Sequence, residues 1–157
     1  MSKEYIEKEV DKIIDSGDYK VPLNFAMAGT WILGNLKGVN LKVLDVKKTS
    51  SLADFFVIAS ATNTTQAKAM ADEIIVQLKR RGGTTISKEG FNDTDWILID
   101  FGDVIFHIFQ EMSRDVYDLE NLWRDAKPVR IPDEFYFSTN EAEKAGTESQ
   151  KNGLDFF

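Results

Sequence analysis

Two short apolar runs separated by only two residues are the feature that most constrains the fold. Residues 95–101 (DWILIDF) and 104–109 (VIFHIF) are rich in β-branched and aromatic residues, and only Gly102 and Asp103 lie between them. Gly followed by Asp between such runs predicts a β-hairpin with a type II′ turn, because glycine accepts the positive φ of the first turn position. The chain must therefore build a sheet that holds this hairpin.

The two-residue loop also predicts the register, and with it the side chains that share a face, since opposed residues point to the same side. One face is wholly apolar and is assigned to the core. Its members are Ile97, Ile99, Phe101, Val104, Phe106 and Ile108. The other face carries a carboxylate and the only histidine of the chain among apolar groups. Its opposed pairs are Trp96 with Phe109, Leu98 with His107, and Asp100 with Ile105. Such a face predicts a surface that is wet in the free protein and covered by a partner.

Length and composition predict one domain with a core of its own, since the chain has 157 residues and 43% apolar content. The absence of cysteine excludes a disulfide framework and Cys-based metal sites. We expect a cytoplasmic protein, because residues 1–20 have no apolar signal region and no segment is long enough to span a bilayer. The net charge of -7 disfavours nonspecific binding to nucleic acid.

Apolar periodicity predicts the remaining elements and their order. Helices are expected over residues 3–15, 23–36, 63–81 and 113–123, and strands over residues 39–46, 54–60 and 84–89 in addition to the hairpin. These elements predict an α/β (α+β) fold, a single domain whose mixed five-stranded sheet is packed with helices in the order α-β-β-α-β-β-β-α. The strands that flank the long helix should be parallel and joined by a right-handed crossover.

Particular residues mark the ends and the inner faces of these helices. Gly38 is expected to cap the helix over 23–36, in which Trp31 belongs to the core. Asn63 is expected as the N-cap of the long helix, with Gln66 at its third position. In the last helix, Ser113 is the predicted N-cap. That helix should carry an Arg114–Asp118 pair and an apolar stripe formed by Val116, Leu119, Leu122 and Trp123.

Enzymatic chemistry is not supported by the motifs. The chain has no P-loop, GxGxxG, GxSxG or HExxH pattern, and one histidine without cysteine rules out the usual three-ligand zinc sites. Asp100 and Asp103 flank the hairpin turn, where a role in the turn is favoured over metal ligation. Asp45, near a Ser-Ser pair, resembles nucleotidyltransferase sites only loosely, since no Asp-x-Asp follows. We expect no catalytic residue, no metal and no cofactor.

Two residues of the mixed hairpin face are interpreted differently. For His107, a semi-buried imidazole satisfied by a neighbour such as Asp100 is favoured over a direct contact with a partner. For Trp96, opposite Phe109 at the start of the hairpin, a role as an interface anchor is favoured. Leu98 and Ile105 would then be part of the apolar surround of the anchor.

Several blocks of the sequence together resemble one known family. They are VLDV at 43–46, SSLADFFVIAS at 50–60, the helical segment from Gln66 to Leu78, EGF at 89–91, DWILIDFGDVIFHIF at 95–109 and RDVYDLENLW at 114–123. In this order they closely resemble the ribosomal silencing factor family, also called RsfS or Iojap. The likeness covers residues 23–123. We therefore divide the chain into an acidic N-terminal extension (1–20), an RsfS/Iojap-like α/β domain (21–132) and an acidic flexible C-terminal tail (133–157), whose last four residues read LDFF.

The resemblance implies a fold similar to nucleotidyltransferases without their active site. It implies binding to protein fourteen of the large ribosomal subunit, a block of subunit association, repression of translation, a part in large-subunit maturation, and a homodimer in the free state. It also implies a partner-binding surface at the positions matching Glu89, Asp95, Trp96, Asp100 and His107. The alternatives are a degenerate nucleotidyltransferase that uses magnesium and a nucleotide through Asp45, Asp54 or Asp100, and a mixed face that serves homodimerisation alone.

This chain departs from the family pattern at a few positions. Ala53 and Phe55 stand where many members have Thr and Tyr, and Phe101 stands where Tyr or Leu is common, so hydroxyl contacts are not expected there. Lys88 replaces a commonly apolar residue, which is expected to alter the rim of the interface.

Overall fold

The computed structural model describes residues 2–92 and 95–137, and in this part the chain forms five α-helices, six strands and one 3₁₀ turn. The helices are α1 (Lys3–Asp15), α2 (Leu23–Asn35), α3 (Thr64–Arg80), α4 (Glu111–Tyr117) and α5 (Leu119–Leu122). The strands are β1 (Val39–Asp45), β2 (Phe55–Ala61), β3 (Ser87–Glu89), β4 (Trp96–Asp100), β5 (Val104–Gln110) and β6 (Lys127–Pro128). No helix in the described ranges is long and apolar enough to cross a membrane.

The six strands form one mixed sheet in the order β3-β4-β5-β2-β1-β6, in which β2 and β5 are parallel and every other pair is antiparallel. The predicted α/β (α+β) class is confirmed, although the sheet has six strands rather than five. The additional strand, β6, pairs Lys127 with Asp45 and Pro128 with Leu44. Because proline cannot donate to a ladder, it belongs at a sheet edge such as this one.

The predicted hairpin is formed by β4 and β5, and its register is confirmed at every pair. Gly102 has a φ of +90°, as the first position of a type II′ turn requires. The Asp100 Oδ1 atom accepts a hydrogen bond from the Gly102 N–H at 2.7 Å. A side chain of the strand thus closes the turn that sets the register.

The long crossover runs from β2 through α3 to β3. The predicted N-cap is confirmed, since Asn63 Oδ1 accepts from the Gln66 N–H at 2.8 Å. The strand expected over 84–89 is reduced to Ser87–Glu89, and it lies at the edge of the sheet against β4. It runs parallel to β2 as expected, but β5 and β4 lie between the two strands.

Helices α2 and α3 pack on one face of the sheet and bury the apolar hairpin face, and α1 packs on α2, so that all three helices share this main core. Helix α2 is buried around most of its circumference, Trp31 included, because α1 covers the side that the sheet leaves free. The predicted α1 is confirmed, with Ile6, Val10, Ile13 and Ile14 buried. Residues 1–20 therefore contribute core side chains. Ion pairs from Arg80 to Asp11 (2.8 Å) and from Arg81 to Asp15 (2.7 Å) connect α3 to α1.

Two segments differ in detail from the prediction: the end of α2 and the region near the C-terminus. At the end of α2 the left-handed residue is Lys37 (φ +71°), and Gly38 follows it, with its N–H donating to the Leu33 carbonyl at 2.8 Å. Near the C-terminus, Asp133–Phe135 forms the 3₁₀ turn and Phe135 is buried in the main core. This part of the predicted tail packs on the domain, whereas residues 138–157, including the LDFF segment, lie outside the described residues.

The prediction for the last helix is wrong at the start of the helix and in its middle. It begins at Glu111, with Gln110 as its N-cap residue, so Ser113 lies inside it. The helix breaks at Asp118, which has a φ of +45°, and α5 follows. Arg114 forms an ion pair with Glu120 at 3.1 Å, where the prediction had paired it with Asp118.

Candidate functional site

The mixed face of the hairpin forms one side of a second, smaller core. The members of this face are Trp96, Leu98, Asp100, Ile105, His107 and Phe109. Its β4 members are half-buried, as expected for a surface strand. Its β5 members, Ile105, His107 and Phe109, are buried, so the expectation of a wet face is wrong for these three. The reason is their place in the sheet: β5 lies between β4 and β2, and Leu119, Trp123 and Ala126 pack over it.

Trp96 is held by contacts with two aromatic rings and by one hydrogen bond. Its ring stacks on Phe109, with centroids 5.1 Å apart, and lies 4.7 Å from the ring of Tyr117. Its indole Nε1–H donates to His107 Nδ1 at 3.1 Å. Because the indole is both stacked and hydrogen-bonded, its half-exposed surface is presented in one orientation.

His107 is a buried, neutral group whose partner is Trp96 and not the predicted Asp100. An indole N–H can only donate, so Nδ1 accepts and the proton of the neutral ring is on Nε2. Within the described part of the chain, Nε2 has no hydrogen-bond partner. Burial lowers the pKa of His107 from 6.5 to about 3, because the charged imidazolium would lose its hydration.

The carboxylates around the hairpin are engaged locally rather than gathered into one site. The Asp100 carboxylate accepts from the turn, as described above. Asp45 accepts from the Lys47 N–H at 3.1 Å and lies 3.5 Å from its ammonium group. Among the described residues, no group of three or more His, Cys, Asp or Glu side chains could hold a metal ion. These contacts give no support to the magnesium-dependent alternative.

Glu89 and Asp95 are exposed, and Asp95 directly precedes Trp96 in the chain. Glu89 is opposite Leu98 across the β3–β4 pair, which places it on the Trp96 side of the sheet. Lys88 is opposite Ile99 and therefore points to the other side, where its ammonium lies 5.3 Å from the Phe91 ring centroid. The expected effect of Lys88 on the rim of this face is not supported by that position.

Gly90 is a residue of the site that the sequence analysis missed. Its φ is +85°, and a Cβ at this position would lie 2.0 Å from the Trp96 carbonyl oxygen. Only glycine permits this close passage of the loop over the start of β4. The EGF block contained the signal, since a glycine directly after a short strand often marks a close approach of the backbone.

Tyr117 and Arg114 were also missed as members of the site. The Tyr117 ring contacts both Trp96 and Phe109. Arg114 is only 3% exposed, and it donates from Nη1 to Ser60 Oγ at 2.9 Å and to the Asn40 carbonyl. It connects α4 to the ends of β1 and β2. Both residues lie in the RDVYDLENLW block, but an apolar-stripe argument assigns no role to a polar residue on the inner side of a helix.

These features define a class of protein: a small α/β domain with a fixed, half-exposed tryptophan and acidic side chains around it, suited to docking on a partner. The model of the family described as "Ribosomal silencing factor during starvation" matches residues 26–155. The chain belongs to this ribosomal silencing factor family, and the predicted resemblance is confirmed.

Individual relatives agree with this family assignment. The ribosomal silencing factor RsfS of Haemophilus influenzae is 42% identical over 91 residues, which are 58% of this chain and 89% of that protein. A mouse protein named "Mitochondrial assembly of ribosomal large subunit protein 1" is 33% identical over 84 residues, covering 52% of this chain and 37% of its own length. A crystal structure of a Chromobacterium violaceum protein superimposes with a TM-score of 0.58 at 30% identity, over 74% of this chain and 85% of that one.

Proposed function

We propose that this protein is a non-enzymatic silencing factor that binds the large ribosomal subunit through its protein fourteen. By occupying that site it sterically blocks association with the small subunit and represses translation. Membership of the ribosomal silencing factor family supports a role on the ribosome. The observation that carries the proposed site is the fixed, half-exposed Trp96.

Trp96 is proposed as the anchor because the folded chain already fixes the orientation of its side chain before a partner binds. The stack on Phe109 and the hydrogen bond to His107 hold the indole in place before binding. Binding then loses little side-chain entropy, which favours affinity, and tryptophan is among the residues enriched at interface hot spots. In this proposal Ile105, His107 and Phe109 act on the partner indirectly, by supporting Trp96 from below.

Besides Trp96, the proposed surface includes the exposed Glu89 and Asp95 and the half-buried Leu98 and Asp100. Carboxylates at the rim of an apolar anchor favour a partner with Lys and Arg side chains. They disfavour direct contact with nucleic acid phosphates. A basic protein of the large subunit fits this chemistry better than ribosomal RNA does.

The test compares Trp96→Ala with the wild-type chain in a sucrose-gradient assay with purified large and small subunits. The wild type should co-migrate with large subunits and lower the fraction of joined ribosomes. Trp96→Ala should bind at least roughly 30-fold more weakly, which corresponds to about 2 kcal/mol. Tyr5→Ala is the matched control, because Tyr5 is a half-exposed aromatic residue on α1 in the other layer. Wild-type binding by Trp96→Ala would refute the anchor.

Three further properties belong to the same proposal. The name of the mouse relative supports a part in large-subunit maturation. We propose that the free protein is a homodimer, which sedimentation of the wild type and of Trp96→Ala would test. If the variant lost the dimer but kept ribosome binding, the Trp96 face would be assigned to self-association. The proposed place of action is the cytoplasm, where free subunits are joined.

A further inference from the structure

Helix α4 exposes large apolar side chains next to the proposed anchor. Met112 is 90% exposed, Val116 is 79% exposed and Tyr117 is 46% exposed. Met112 and Val116 are four residues apart, so they lie on the same side of the helix. We call these three residues the α4 ridge. Adjacent apolar side chains that no core covers are typical of interaction surfaces.

Met112 and Val116, the outer residues of the ridge, lie on the side of α4 opposite Arg114. Arg114 is two positions from Met112 and two from Val116, which turns it about 200° around the helix from each of them. Its buried guanidinium donates to Ser60 Oγ at 2.9 Å and to Glu120 Oε1 at 3.1 Å. The orientation of the ridge is thus set by the folded chain, as it is for Trp96.

The ridge is also continuous with Trp96. Tyr117 belongs to both, since its ring centroid lies 4.7 Å from that of Trp96. Apolar surface therefore extends from β4 across Tyr117 onto the outer side of α4. A partner that covers Trp96 from solvent would meet this helix beside it.

The exposed charges of α4 and of Asp118, which ends it, have one sign. Glu111, Asp115 and Asp118 are exposed, and the only basic residue of α4 is the buried Arg114. Glu89 and Asp95 carry the same sign across the hairpin. A partner that covers the ridge should present an apolar centre framed by Lys and Arg, and a phosphate backbone would be repelled.

We propose that the α4 ridge is a second part of the docking surface and covers a basic, partly apolar protein surface of the large subunit. This inference rests on the proposed function and extends it to a helix outside the predicted site. It assigns to Met112 and Val116 a direct contact with the same partner that Trp96 anchors.

The first test uses the absence of cysteine from the chain. Met112→Cys introduces a single, highly exposed thiol whose maleimide labelling can be followed in the full-length protein. Added large subunits should slow this labelling at least tenfold. Val76→Cys, at a 43% exposed position of α3 in the other layer, is the matched control and should label at an unchanged rate. Unchanged labelling at position 112 under conditions where the subunit is bound would overturn the inference.

The second test measures affinity for purified large subunits. The double variant Met112→Gln with Val116→Gln keeps good helix-forming residues and should unfold at the wild-type temperature. Its Kd should rise at least tenfold, and Val76→Gln should bind as the wild type does. If the double variant bound with wild-type affinity while Trp96→Ala lost binding, the proposed role of the ridge would be refuted and the Trp96 anchor would stand. If the wild-type chain itself fails to bind large subunits, the proposed function fails and the ridge fails with it. Loss of a dimer with subunit binding retained would also overturn the inference, by assigning the ridge to a second copy of the chain.

Discussion

Protonation of His107 in the unfolded chain should lower the stability of the fold well above the pH range in which carboxylates titrate. The pKa of His107 is about 3 in the folded chain because burial excludes the charged form. An unfolded histidine has a pKa of about 6.5. Between these values the unfolded state binds a proton that the folded state does not, so stability falls as the pH falls from about 6.5 towards 3. The hydrogen bond from the Trp96 indole also disfavours the charged imidazolium, because it occupies Nδ1, the nitrogen that would take up the proton.

The size of the effect follows from the two pKa values. With about 3 in the folded chain and about 6.5 in the unfolded chain, the free energy of unfolding should be about 2 kcal/mol lower at pH 5 than at pH 7. The chain contains one histidine, so no other imidazole contributes to this interval. The lowered pKa values of Asp11 and Asp15, caused first by hydrogen bonds from Arg80 and Arg81, become important only below about pH 4.

Urea denaturation of the wild type and of His107→Gln at pH 7 and pH 5 is the assay. Glutamine does not titrate, and its side-chain oxygen is able to accept the hydrogen bond from Trp96. The variant should lose most of the pH dependence while unfolding in one transition at both values. Equal pH dependence in the two proteins would refute the argument, since the change could then not come from this imidazole.

Three further predictions concern two residues that support the site and one ion pair between α1 and α3. Gly90→Ala should lower the free energy of unfolding by more than Gly82→Ala in urea denaturation. Both glycines have a positive φ, but an added Cβ would meet the backbone at 2.0 Å only at Gly90, whereas Gly82 has open space. Equal losses would show that the close approach is relieved without cost. Arg114→Ala should lower the free energy of unfolding by about 3–5 kcal/mol, because Ser60 Oγ and the Glu120 carboxylate would lose the buried guanidinium that donates to them. Asp11→Asn, in a partly exposed ion pair, should cost less than about 1 kcal/mol and less still at high salt.

The parts of the fold that were predictable are those set by local chemistry. The Gly102-Asp103 turn allowed one register, and the register then fixed the face of every hairpin residue. Asn63 and the α1 periodicity were equally local signals. Strand β6 has no such signal, because it consists of two residues, one of them proline, that pair only through the position of β1. The break at Asp118 was hidden for a similar reason, since the apolar spacing continues through it.

The partner of His107 shows the limit of register arguments. Leu98 is directly opposite His107, so Trp96 and Asp100 are its two diagonal neighbours on the same face. Distance along the strand could not choose between them. The choice is made by the turn, where the Gly102 N–H binds the Asp100 carboxylate and leaves the imidazole to the indole. The exposure of the face was misjudged because strand order decides it, and the hairpin alone does not contain the strand order.

Because the buried and the exposed members of this site lie on different strands, their substitutions should have different consequences. Phe109 is fully buried beneath Trp96, so Phe109→Ala removes core packing and should cost about 3–5 kcal/mol of stability as well as binding. Glu89→Gln changes an exposed side chain at the edge of the sheet, so it should weaken subunit binding and its salt dependence while leaving urea denaturation unchanged. A surface exposed along both strands would give the second pattern at both positions. The two measurements on this pair of variants therefore distinguish a partner that touches the whole hairpin face from one that meets only Trp96, the acidic rim and α4.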